Sequence, residues 1–268
     1  ATDGNGVHFL SHKDQQVTRR FYHDVNDKEG IRSNSIYSLL IDDRGAVWVG
    51  HFQAGLDYSL YQNGLFRTYD YPPLFNSANL SIRSFVNKGQ EKVIGSRDGL
   101  FYINEATGVV KSFVKPVLTS DLILTICFYQ GEYYIGTYGG GMMVLNPETL
   151  SLKYFAQGDT ELFQKGHIFC VKPDAKGNLW IGTSQGLFSY NGQTKQIKSF
   201  TSANSQLPEG NVYEVSFDST GKGWIATETG MCIYDPASQS LRSNVFPEGF
   251  VNKDKVRTIY EDAAPNLS

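Results

Sequence analysis

Residues 168–200, IFCVKPDAKGNLWIGTSQGLFSYNGQTKQIKSF, decide the fold. Short apolar segments alternate in this stretch with turn residues. Asp174 can cap a turn through its side chain, and Gly177 readily adopts the left-handed backbone conformation, so a hairpin is predicted between the first two segments. The predicted strands are residues 168–171, 179–181, 187–190 and 196–200. Together they predict a four-stranded antiparallel unit.

The same unit recurs along the chain. Its most regular part ends the second strand, and five segments align there: residues 48–50 (WVG), 93–95 (VIG), 134–136 (YIG), 180–182 (WIG) and 224–226 (WIA). The first strands of the units begin at Ile36, Ile82, Ile123, Ile168, Val212 and Val256. Successive starts are 46, 41, 45, 44 and 44 residues apart. A repeat of about 44 residues with four short strands is typical of a β-propeller blade.

We therefore predict an all-β fold, with residues 1–268 forming a single β-propeller or a propeller segment of four-stranded blades. Residues 1–30 would supply the outer strands of a split or truncated blade, and residues 251–268 its first strand. Five whole blades are predicted between them, at residues 31–77, 78–118, 119–162, 163–207 and 208–250. Two alternatives stay open: the two ends share a blade that closes the ring, or the chain is a piece of a longer array.

The composition narrows the function classes. Charged residues make up 19% and apolar residues 40%, which fits a globular chain. Lys and Arg (24) nearly balance Asp and Glu (27), and such a balance argues against a nucleic-acid partner. The richest apolar run, residues 122–129, is too short for a membrane span, so no direct membrane contact is expected. Cys127, Cys170 and Cys232 lie in apolar strand patterns and are predicted to be free and buried.

A search for chemistry in the sequence predicts no catalytic residue, no metal site and no cofactor. His8 and His12 are four residues apart, but this spacing in a strand and turn does not place two ligands on a shared face for zinc. The glycines at residues 139–141 follow a strand but open no predicted helix, which argues against a phosphate-binding loop.

The pattern D-x-x-G-N-L-W-I-G-T-x-x-G-L at residues 174–187 resembles a two-component regulator propeller repeat. Residues 42–56 and 218–231 follow it, and residues 87–100 and 131–142 follow it more loosely. Val93 and Tyr134 stand where this repeat has Trp, and His51 and Ser96 stand where it has Thr.

In that family, such arrays form the periplasmic sensor region of hybrid two-component system histidine kinases of gut Bacteroidetes. Those sensors recognise oligosaccharides released from complex glycans and switch on the genes that degrade them. The resemblance implies a periplasmic location and an oligosaccharide ligand. It also implies partners among neighbouring propeller or sensor domains of the same protein, or a second copy in a homodimer.

Propeller topology brings the turns between second and third strands to one face, together with the connections between blades. These turns differ chemically from blade to blade, whereas the opposite face repeats Asp, Gly and Asn, so the variable face is the predicted recognition surface. The predicted ligand-binding residues are His51, Phe52, Gln53, Arg97, Asp98, Tyr138, Gln185 and Glu228. Arg97 would bind a carboxylate or sulfate if the ligand is acidic. The connections add Tyr71, Phe75, Asp121, His167 and Glu209 to the same rim.

Two other functions are compatible with the sequence. One is a protein–protein interaction scaffold, which a large flat aromatic patch would favour. The other is an enzyme similar to the streptogramin lyases, whose blades have a similar period. A His base beside a Glu, or a bound Mg²⁺, would favour the lyase, whereas a concave pocket with converging polar groups would favour the sensor.

Overall fold

The computed structural model describes residues 4–10, 17–27, 30–42, 45–60, 66–68, 80–155, 160–243 and 256. These residues form five four-stranded sheets and one two-stranded sheet. Within every four-stranded sheet the spatial order of the strands follows the chain, which is the arrangement of a β-propeller blade. The predicted fold class is therefore confirmed. Tyr71, Phe75 and residues 257–268 lie outside the described residues.

The first of two compact units comprises residues 1–115 and 121–123. It contains the two-stranded sheet, β1 (Val7–Leu10) and β2 (Val17–Phe21). Its first blade consists of β3 (Ile36–Ile41), β4 (Ala46–His51), β5 (Leu56–Leu60) and β6 (Phe66–Thr68). Its second blade consists of β7 (Ile82–Lys88), β8 (Glu91–Ser96), β9 (Leu100–Asn104) and β10 (Val109–Phe113).

The second unit comprises residues 116–120 and 124–268 and contains three blades. Their strands are β11 (Ile123–Tyr129), β12 (Glu132–Thr137), β13 (Met142–Asn146) and β14 (Ser151–Tyr154); β15 (Ile168–Pro173), β16 (Asn178–Thr183), β17 (Gly186–Asn191) and β18 (Ile197–Phe200); and β19 (Val212–Phe217), β20 (Gly223–Thr227), β21 (Gly230–Asp235) and β22 (Ser240–Ser243). A short helix, α1 (Thr160–Lys165), precedes β15. The sequence did not predict α1, because six residues are too few to show a helical period. The two alternatives for the chain ends, a shared blade that closes the ring and a piece of a longer array, both stay open.

The glycine near the end of the second strand is required by packing at Gly136 and Gly182, whereas the fifth blade has Ala226 at this position. A Cβ added to Gly182 would lie 2.5 Å from the sulfur of Cys170 and 2.7 Å from the carbonyl oxygen of Val212, which begins the next blade. A Cβ on Gly136 would lie 2.5 Å from the Thr125 side chain. The motif that revealed the repeat therefore marks the place where neighbouring first strands crowd a second strand.

An aspartate at the other end of the blade holds the tryptophan of the repeat. The indole Nε1 of the tryptophan donates to the carboxylate of the turn aspartate in three blades: Trp48 to Asp42 at 3.0 Å, Trp180 to Asp174 at 2.9 Å and Trp224 to Asp218 at 3.0 Å. Trp48 and Trp180 are 3% and 1% exposed, whereas Trp224 is only half-buried.

The three cysteines are free and buried, as predicted. Among the described residues, no helix is long and apolar enough to span a lipid bilayer.

Candidate functional site

A β-bulge at the second residue of the first strand shapes one end of the blades. The pairing of first and second strands shifts register around Tyr37, Arg83, Phe169 and Tyr213. A bulge leaves the extra residue out of the ladder and re-aims its side chain, and bulges are common beside binding sites. This blade end also carries the turns between second and third strands. We therefore add the four bulge residues to the candidate site.

In the first unit, the side chains of Phe52, Tyr37 and Arg83 form a row. The rings of Phe52 and Tyr37 are 5.1 Å apart, and the guanidinium carbon of Arg83 lies 5.1 Å from the centre of the Tyr37 ring. Arg97 directly follows Ser96, whose backbone pairs with the residue before Arg83. Burial of Arg83, with a smaller contribution from the nearby charge of Arg97, lowers the pKa of the Arg83 guanidinium.

Two predicted residues of the same turns also have exposed side chains. Gln53 adopts a left-handed backbone (φ 54°), and its backbone N–H donates to the hydroxyl of Ser81 at 3.1 Å. Asp98 is exposed, and its backbone N–H donates to the hydroxyl of Ser96 at 2.9 Å. The turns are thus fixed through the backbone, which leaves both side chains free for other contacts.

His51 does not fit the predicted binding set. Its side chain is 0% exposed, and its Nε2 lies 2.8 Å from the Asp57 carboxylate. Arg32 donates its Nε to the same carboxylate at 2.9 Å. At the equivalent position of other blades a Thr hydroxyl, such as that of Thr183, donates to a turn glycine carbonyl. His51 is therefore a buried replacement for this threonine, and a ligand at the surface cannot reach it.

In the second unit, an aromatic row crosses three blades. Tyr138, in the turn between β12 and β13, stacks on His167 with ring centres 3.9 Å apart. The row continues from His167 to Phe169 at 6.2 Å and from Phe169 to Tyr213 at 5.2 Å. Tyr138 is 49% exposed and the other three rings are half-buried. This row thus offers an extended aromatic surface to solvent.

Contacts below Tyr138 fix its turn. The Ser120 hydroxyl donates to the Tyr138 carbonyl at 2.8 Å, and the Thr119 hydroxyl donates to the Gly140 carbonyl at 2.6 Å. A Cβ on Gly140 would lie 2.6 Å from the Thr119 hydroxyl, so this glycine allows the close approach. The ring of Tyr138 is therefore presented on a pre-organised turn.

Polar groups flank the aromatic row. Asn211 donates its side-chain N–H groups to the Tyr213 hydroxyl at 3.1 Å and to the Glu228 carboxylate at 2.9 Å. Gln185 is exposed in the turn between β16 and β17. The Nδ1 of His167 is buried and has no hydrogen-bond partner among the described residues. Aromatic faces beside amide and carboxylate groups suit a ring-shaped ligand with several hydroxyl groups.

Sequence reasoning found part of this arrangement. Tyr138, Gln185, Glu228 and the connection residue His167 were predicted, and their binding role stays a prediction. The sequence analysis missed Phe169, Tyr213 and Asn211. Large side chains recur at the second residue of the first strand, and this pattern in the sequence could have indicated Phe169 and Tyr213. The next residue is small in most blades, such as Cys170, which packs on the glycine of the second strand.

A groove of about 750 Å³ lies at the opposite end of the last two blades. Its lining includes Trp180, Phe200, Tyr234 and the turn residue Asp174. Trp180 and Phe200 are only 1% and 4% exposed, so their ring faces are unavailable for stacking on a ligand. We therefore place the candidate site at the bulged end. No group of three or more His, Cys, Asp or Glu side chains in the described part of the chain could hold a metal ion.

A known family of repeats matches two of the blades. Residues 30–53 and 163–185 match the family model described as two component regulator propeller. The predicted resemblance to these repeats is therefore confirmed. No curated protein matches the chain.

Three solved structures share the fold. The extracellular domain of BT3049 from B. thetaiotaomicron, assigned to a hybrid two component system, has a TM-score of 0.74 and 23% identity over 90% of this chain and 31% of that chain. The corresponding domain of BT4673 gives 0.66 and 19% over 85% of this chain and 30% of that chain. PorZ, a surface component of the type-IX secretion system of Porphyromonas gingivalis, has a TM-score of 0.62 and 15% identity over 89% of this chain and 35% of that chain. This chain thus spans about a third of each.

Proposed function

We propose that this chain is part of an extracytoplasmic, periplasmic sensor propeller that binds an oligosaccharide for a two-component signalling system. Two observations support the sensor role: the match to two-component regulator propeller repeats, and the structural likeness to extracellular domains of hybrid two-component systems. The function requires no catalytic residue, metal or cofactor in this chain.

The aromatic row of the second unit carries the ligand proposal. A sugar ring has apolar C–H faces and polar edges, and an aromatic ring can cover the face while polar side chains bond the edge. Tyr138 has the most exposed ring of the row. Glu228 lies near Tyr213, since Asn211 bonds to both, and Gln185 is exposed in the turn between β16 and β17. We propose that a sugar stacks on Tyr138 and reaches these groups through its hydroxyls.

A sensor also needs a second arrangement that the ligand can favour. The turns of the site are tied down by backbone hydrogen bonds such as those of Tyr138 and Gln53, so local rearrangement is restricted. A ligand shifts an equilibrium only by binding two states with different affinity. We propose that the ligand also contacts a neighbouring domain of the same protein, or a second copy in a homodimer, and thereby selects one arrangement of the two.

The test is calorimetric titration of the chain with a panel of neutral and acidic oligosaccharides. For an oligosaccharide that binds, Tyr138→Ala should weaken the affinity by roughly 5- to 30-fold, since removal of a contact aromatic costs about 1–2 kcal/mol. Tyr154→Ala is the matched control, because Tyr154 is equally exposed (51% against 49%) but lies on the outer strand β14.

The expected affinity of the control is within about twofold of the parent protein. Equal losses for Tyr138→Ala and Tyr154→Ala would place the ligand elsewhere. Absence of binding across the whole panel would contradict the oligosaccharide proposal, and normal affinity of Tyr138→Ala would contradict the assignment of the site.

A further inference from the structure

Two arginines of the first unit have no acidic partner among the described residues. Arg83 and Arg97 form no ion pair with any described residue, although Arg32 of the same unit pairs with Asp57 and Lys92 pairs with Glu105. The Nε of Arg83 is buried and has no hydrogen-bond partner in the described residues. Among the described residues, Arg83 is thus a partly buried cation without an acidic partner, and Arg97 is an exposed one.

The unpaired state of Arg83 is energetically unfavourable. A buried N–H group without an acceptor destabilises the folded state, and a like charge nearby adds to this cost. Burial lowers the pKa of Arg83; the interaction with Tyr37 opposes this change, and the nearby charge of Arg97 adds to it. A bound anion would supply the acceptor for Nε and offset the repulsion between the two side chains.

The backbone places both arginines at one spot. Ile82 pairs with Ser96 across β7 and β8, and each arginine is the next residue along its strand. Arg83 is the bulged residue of β7 and has no partner in the pairing with β8. The Arg97 N–H donates to the Ser81 carbonyl at 3.1 Å. Arg97 and its neighbour Asp98 are both exposed, and Asp98 forms no ion pair with either arginine among the described residues.

We propose that Arg83 and Arg97 form a binding site for an oxyanion, a carboxylate or a sulfate, carried by an acidic saccharide. Guanidinium groups bind both anions through two parallel hydrogen bonds. The rings of Tyr37 and Phe52 continue from Arg83 and provide a flat surface for the sugar that bears the anion. The saccharide part of this assignment rests on the proposed function, whereas the anion site stands on the two arginines alone.

The experiment follows the Nε–H signals of the arginines by ¹H–¹⁵N NMR while sodium sulfate, sodium D-glucuronate or D-glucose is added at constant ionic strength. Sulfate or glucuronate should shift the Arg83 and Arg97 signals saturably, and glucose should not. Arg83→Gln and Arg97→Gln should each raise the dissociation constant about tenfold or more, because each removes a charged donor. Arg83→Lys keeps the charge but loses the planar fork, so it should also weaken binding.

Arg67→Gln is the matched control, since Arg67 is exposed on the outer strand β6 and its loss changes the net charge equally. The affinity of Arg67→Gln should stay within about twofold of the parent protein, because salt screens an exposed charge that does not contact the anion. Arg97 is exposed, so Arg97→Gln should fold even if Arg83→Gln does not.

The stronger of the two anions identifies the group on the ligand. The proposal is wrong if neither anion shifts the arginine signals, if glucose shifts them equally, or if Arg67→Gln weakens binding as much as Arg97→Gln. Sulfate binding with no response to any oligosaccharide would support the anion site and contradict the saccharide ligand, so the two failures are distinguishable.

Discussion

Replacement of Trp180 by Ala should strongly destabilise the second unit. Trp180 is 1% exposed, and its ring lies 4.5 Å from that of Tyr234 and 5.7 Å from that of Phe217, both in the next blade. A buried aromatic side chain removes about 150–250 Å² from water, which is worth about 4–6 kcal/mol at about 25 cal/mol per Å². Because Ala retains the Cβ, we expect a loss of about 3–5 kcal/mol, as for other large core truncations.

Trp224→Ala separates packing from hydrogen bonding. Trp224 makes the same indole bond to its turn aspartate (3.0 Å against 2.9 Å) but is only half-buried. We expect Trp224→Ala to cost about 1–2 kcal/mol. Thermal unfolding followed by circular dichroism should show a fall in melting temperature of roughly 6–20 °C for Trp180→Ala and clearly less for Trp224→Ala. Equal falls would mean that the bond to aspartate, and not packing between blades, determines the loss, and an unchanged midpoint for Trp180→Ala would refute the reasoning.

Three further outcomes are expected. Gly182→Ala should lower the free energy of unfolding in urea by about 1–3 kcal/mol, because its Cβ would overlap Cys170 and Val212. Burial raises the pKa of Cys127 to about 11 and that of Cys232 to about 12, so a disulfide reagent at pH 8 should react slowly with the folded protein and release three equivalents on unfolding. Burial opposes ionisation of Asp218, but hydrogen bonds led by those of Thr220 and Trp224 lower the pKa of its carboxyl group. The stability that these bonds provide is present above about pH 3.9 and is lost as the pH falls through the lower pKa of the folded state. This pH-dependent part of the stability should be missing in Asp218→Asn.

The sequence was sufficient for the blades because their determinants are local and repeated. The turn aspartate holds the indole six residues later in the same blade, as Asp174 does with Trp180, and Gly177 in that turn has a φ of 78° that glycine adopts readily. The glycine of the second strand meets the next first strand in several repeats, as Gly50 does with Ile82 and Gly182 with Val212. A pattern of this kind is visible in one sequence, since every blade must satisfy the same packing.

The candidate site was less predictable because its geometry depends on register. The bulge in the first strand determines the direction in which the side chains of Arg83 and Phe169 point. A register shift of one residue moves a side chain to the opposite face of the sheet. His51 shows the opposite error. Its turn position indicated exposure, but Asp57 and Arg32 bury it in an ion-paired cluster that no local pattern reveals.

The two ends of a blade therefore carry different information. At the aspartate end, Trp180 and Asp174 are held by contacts within the fold, and substitution there changes stability. At the bulged end, Arg83 and Tyr213 do not take part in the pairing of the first and second strands. Other residue types can therefore replace them without loss of a strand pair. The family-model match, over residues 30–53 and 163–185, includes the blade determinants Asp174 and Trp180 and names no ligand. Such a match consequently establishes the blade, whereas the ligand must be determined from the residues that the bulge exposes.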